Sequence, residues 1–169
     1  MARIITIGVV IYLNFILQTT LLRHIAFLGV VPMTAMLIVV SYAILRDDVE
    51  GAIVGLCVGL LQDVFFMDVI GVHALLFAVI GFICGKPFRD FFTDSFLLPV
   101  LLTLFAMLGY GTVFYFIQFM MRGRLADYFR IIILPETIYT MLLAIPVYRL
   151  MFYINKRIEK HEKQHRHIF

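Results

Sequence analysis

Nineteen residues, 4–22, follow Arg3 without a single charge. A helix needs about 20 apolar residues to cross the hydrocarbon core of a bilayer. Five more apolar stretches follow, at 25–45, 51–67, 70–85, 95–121 and 134–154. The pattern predicts an all-α, polytopic membrane protein of six transmembrane helices. A soluble fold is excluded by arithmetic. Hydrophobic residues make up 63% of the 169 and charged residues 15%, against roughly 45–50% and 25% in soluble domains. Lipid must cover most of that surface. The first stretch is too long for a typical signal-peptide core and reads as a retained anchor.

Most charges fall between the apolar stretches. Arg23-His24, Arg46-Asp47-Asp48-Val49-Glu50, Lys86-Pro87-Phe88-Arg89-Asp90 and Arg122-Gly123-Arg124 mark turns. Residues 125–133 mix charge with Tyr128 and Phe129, which suits an interfacial segment. The 95–121 stretch holds twenty-seven uncharged residues, enough to span at a tilt. This divides the chain into a transmembrane domain, 1–155, and a basic tail, 156–169. Lys/Arg bias sets orientation. With both ends inside, the cytoplasmic face carries Arg3, Arg46, Lys86, Arg89, Lys156, Arg157, Lys160, Lys163 and Arg166. The outer face carries Arg23, Arg122, Arg124 and Arg130. Nine against four predicts N-in and C-in, with Arg149 snorkelling from within the sixth stretch. The tail suits the anionic inner leaflet.

The most specific local feature is Gly51, Gly55, Gly59 and Asp63, each four residues after the last. That spacing puts all four on one helical face. Small residues let another backbone approach, so the face is read as a helix-packing or partner-binding surface. Asp63 lies about 18 Å beyond Gly51 at 1.5 Å per residue. An ionisable group at such depth is costly and a functional candidate. His73, at a similar depth on the fourth stretch, is its best partner, with Arg23 second; Gln62 points elsewhere. Glu136 after Pro135 suits a helix start, and Pro32 near the start of the second stretch is read the same way. Cys57 and Cys84 read as core filling. His161, His165 and His167 read as parts of a solvated tail. The sequence carries no H-E-x-x-H, G-x-S-x-G or Walker lysine loop. No basic–aromatic patch suits nucleic acid, and no cofactor or metal is expected.

Gly51-Ala-Ile-Val-Gly-Leu-Cys-Val-Gly-Leu-Leu-Gln-Asp63, followed by Ile70-Gly71-Val72-His73-Ala74-Leu75, resembles the signature of the rod shape-determining protein MreD family. Pro32, the length, the six stretches and the basic tail agree with it. The resemblance implies a bacterial inner-membrane protein without catalysis. Its implied role is as a subunit of the elongation (rod) complex that positions lateral peptidoglycan synthesis and maintains cell shape. It implies binding to MreC and, indirectly, association with MreB, RodA and RodA's partner transpeptidase; homo-oligomerisation stays open. The implied fold is similar to the S-components of energy-coupling-factor transporters. A second class is therefore a small-molecule-binding subunit of a vitamin transporter. S-components commonly carry Ala-x-x-x-Ala on the first helix. Here 4–22 has only Gly8 as a small apolar residue.

Overall fold

The computed structural model describes residues 2–24, 31–66, 70–85, 97–122 and 133–166. They form six helices: α1 (Ala2–His24), α2 (Thr34–Leu45), α3 (Asp48–Phe66), α4 (Val72–Gly85), α5 (Leu97–Arg122) and α6 (Leu134–Arg166). Three helical segments are long and apolar enough to cross a membrane: Asp48–Phe66, Leu98–Ile117 and Leu134–Ile158. Ile5–Thr20, Thr34–Leu45 and Val72–Gly85 are shorter apolar segments.

The second stretch departs from expectation. Residues 31–33 are not helical, and α2 begins only at Thr34. Residues 25–30 lie outside the described residues. Twelve residues give α2 a length of about 18 Å, short of the roughly 30 Å hydrocarbon core. Pro32 therefore precedes the helix and does not open it. Met33 is the N-cap, and its N–H donates to the Thr140 hydroxyl of α6 at 3.1 Å. A side chain from a distant helix thus satisfies a backbone group that Pro32 leaves outside the helical ladder.

α2 is the axis of the bundle. It contacts all five other helices, and every residue from Thr34 to Ile44 is buried. A helix that is apolar all round is buried all round. Met36, Leu37, Val39 and Val40 of α2 join Phe77 of α4 and Met107 of α5 as the largest fully buried apolar side chains. The outer faces of the remaining helices are apolar as well. Leu75, Phe105, Ile138 and Leu142 are each more than 60% exposed, as expected of surface that meets lipid. Cys84 is buried, but Cys57 is exposed on α3, so only one of the two cysteines fills the core. In a membrane protein the outward face is apolar too, and a cysteine fits either.

α6 continues without a break through residue 155 to Arg166. Residues 123–132, and the side chains of Arg23, His161, His165 and His167, lie outside the described ones.

Candidate functional site

α3 and α4 form an antiparallel pair sealed by glycine. An added Cβ on Gly59 would strike the His73 carbonyl oxygen at 2.5 Å and the Ala74 backbone. One on Gly55 would strike the Phe77 carbonyl group, and one on Gly51 would come within 2.8 Å of the Gly81 carbonyl oxygen. From the other side, an added Cβ on Gly85 would strike the Asp48 backbone at 2.5 Å. Each contact lies about one turn beyond the previous one on both helices. The glycine face predicted from spacing is therefore occupied along its length by α4, and an added Cβ on Gly51 would also strike Ala43 of α2. Backbone contact without side chains is how helices gain dispersion energy where no hydrophobic driving force separates protein from lipid.

Asp63 closes the end of this seam near the C-terminus of α3. It is fully buried. Its Oδ2 accepts the backbone N–H of Gly71 at 2.9 Å and of Ala74 at 3.0 Å. Its Oδ1 accepts the backbone N–H of His73 at 3.1 Å and lies 2.8 Å from His73 Nδ1. The carboxylate thus takes up three of the donors that the start of α4 leaves without intrahelical partners, at the positive end of the helix dipole. It does the work of an N-cap from a neighbouring helix. Gly71 makes the geometry possible, because its φ of +111° points the N–H back at the carboxylate. A side chain is strained at that φ.

His73 carries the network to a third helix. Both carboxylate oxygens act as acceptors, which assigns the shared hydrogen to Nδ1; in that neutral tautomer Nε2 accepts from the Tyr110 hydroxyl of α5 at 2.7 Å. Aromatic rings enclose it. Phe77, Tyr110 and Phe114 have ring centroids 5.9, 5.6 and 5.3 Å from the imidazole, and Tyr110 stacks on Phe114 at 5.5 Å. His73 is 3% exposed and Tyr110 5%, so water reaches neither freely.

Gln62 does point elsewhere: its Nε2 donates to Gln18 Oε1 of α1 at 2.9 Å. Phe15 of α1 packs on Phe65 and Phe66 of α3 beside it. At the opposite end of the bundle the Tyr42 hydroxyl donates to Glu50 at 3.0 Å, and Arg46 Nε donates to Asn155 Oδ1 of α6.

The structure brings Gly51, Gly55, Gly59, Asp63 and His73 into one continuous seam. Tyr110, Gln18 and Thr140 were not foreseen. The available signal was a hydrogen-bonding side chain within an otherwise apolar stretch, but spacing alone could not pair it with a residue on another helix. Chemically the arrangement fixes three helices by charge-assisted hydrogen bonds in a dry, aromatic setting. Among the described residues no group of three or more His, Cys, Asp or Glu side chains is placed to hold a metal.

No curated protein and no solved structure matches the chain. The sequence profile described as rod shape-determining protein MreD matches residues 1–158. Since this covers nearly the whole chain, the glycine seam, its buried carboxylate and the surrounding bundle belong to a member of the MreD family of rod shape-determining membrane proteins.

Proposed function

We propose that the chain is a non-enzymatic subunit of the bacterial elongation complex. It sits in the inner membrane with six spans and both ends in the cytoplasm, and helps position lateral peptidoglycan synthesis by binding MreC. MreB, RodA and RodA's partner transpeptidase are reached through that contact. The bundle takes the S-component-like arrangement, used as a scaffold. In this reading Gly51, Gly55, Gly59, Asp63 and His73 are the internal seam that gives the scaffold its shape, and the partner docks elsewhere.

One observation carries this. Hydrogen bonds of Asp63, His73, Tyr110, Gln18 and Gln62 tie helices to one another. Polar groups placed in this way rigidify a bundle. A scaffold needs a rigid shape with an apolar perimeter, and recognition then takes place within the bilayer, through close packing and a few polar contacts.

Co-purification of the full chain from native membranes in mild detergent tests the proposal. Recovery of MreC, a single-span coiled-coil protein, is the expected result. Recovery of a coupling ATPase, together with a ligand-dependent rise in thermal stability, would replace it with the transport function.

A further inference from the structure

Beyond the seam, α1 is the helix that its neighbours hold least. Of its described side chains only Ile11 is buried. Phe15 and Gln18 fasten it to α3. On the side toward α6 it stands over a shallow apolar crevice. Ile7, Val10 and Ile11 form one wall, and Met151, Ile154 and Ile158 of α6 form the other.

Asn14 stands on the α1 wall. It follows Ile11, Val10 and Ile7 at three, four and seven residues, so it continues their face one turn outward. It is partly exposed. Neighbouring polar residues of α1 are accounted for: Gln18 pairs with Gln62, and Thr19 bonds back to the Phe15 carbonyl. Among the described residues Asn14 has no hydrogen-bond partner. Twelve residues separate it from Ala2, about 18 Å along the helix. With α1 spanning, that is close to the bilayer midplane, where neither water nor lipid tails satisfy an amide. An amide there needs both a donor and an acceptor.

We propose that the α1–α6 crevice, with Asn14 above it, is the docking site for a single transmembrane helix of a partner, one that carries a hydrogen-bonding side chain at the depth of Asn14. This rests on the six-span, MreC-binding function proposed above and names its surface. The crevice is too shallow to take a side chain between α1 and α6. The partner helix therefore lies across the mouth and packs against its apolar rim, while its polar residue pairs with the Asn14 amide. Complementarity in hydrogen bonding selects this occupant over a lipid chain, which leaves the amide unpaired.

The test uses the full chain in its own membranes. A photo-crosslinking residue at Val10, in the crevice, should capture the membrane helix of MreC, and one at Leu75, on the outer face of α4, should not. Asn14→Leu should weaken MreC binding about threefold to twentyfold, the range of measured interhelical hydrogen bonds, and Asn14→Gln should restore most of it. The isolated Asn14→Leu chain should melt no lower than wild type, because it loses no internal bond. A lower melting temperature would mean that the amide has an internal partner, and would overturn the site. Unchanged MreC affinity in Asn14→Leu, or capture at Val10 of a second copy alone, would also overturn it while leaving MreC binding in place. Absence of MreC from wild-type preparations would overturn both the site and the function beneath it.

Discussion

The Asp63 carboxylate of α3 holds His73 of α4 twice, by its backbone N–H at 3.1 Å and its ring Nδ1 at 2.8 Å. One residue thereby fixes both the start of a helix and the orientation of an imidazole. The same ring reaches Tyr110 on α5, so a single carboxylate sets the relation of three helices.

Removing the carboxylate leaves buried donors without an acceptor. Asp63→Ala is expected to cost about 3 kcal/mol of stability in detergent, the upper end of the scale for leaving a buried donor unsatisfied, since several lose their acceptor at once. Asp63→Asn keeps the shape but turns an NH₂ toward converging N–H groups, so it destabilises as well. His73→Gln does so more mildly. In a double-mutant cycle of Asp63→Asn with His73→Gln, the pair should cost less than the sum of the singles. The coupling should be about 0.6 kcal/mol and at most about 1.7. Strict additivity in thermal or denaturant unfolding would show that the two side chains do not interact.

The glycine seam predicts that position outweighs chemistry. Gly59→Leu drives a side chain into the backbone of α4 and should cost about 3 kcal/mol or more, with reduced protein levels in membranes. Gly109→Leu in α5 is the control, because nothing lies within 4 Å of its built Cβ. It should stay within about 0.5 kcal/mol of wild type. Equal melting temperatures for the two variants would contradict backbone contact at Gly59.

Tyr110→Phe keeps the rings stacked on Phe114 and against Phe77 but removes the hydroxyl from His73 Nε2. The loss should be about 1–2 kcal/mol, the cost of one buried hydrogen bond with its partner left unpaired. An unchanged melting temperature would mean that α5 is held by ring packing alone.

Topology is open to direct measurement. A reporter fused after Phe169 should read cytoplasmic and one inserted near Gly123 external. The expectation follows from nine Lys/Arg on the inner side against four outside. A C-terminal reporter on the outer face would reverse the assignment, and with it the leaflet that the basic tail meets.

The sequence by itself determined that the chain is helical and apolar, where most helices run, and that Gly51, Gly55, Gly59 and Asp63 share a face. Charges delimit the apolar stretches, and four-residue spacing needs no tertiary information to place residues on one side of a helix. Three things were decided only by the tertiary structure. α2 lies at the centre and starts at Thr34, although its apolar stretch looks like the others. Helical periodicity reports contrast between polar and apolar faces, and that contrast vanishes where lipid and protein core are both apolar. The glycine face is occupied by α4, which spacing could not separate from an open docking face. Tyr110 completes the network from 37 residues beyond His73, because a hydroxyl in an apolar stretch acquires its partner only when the helices pack.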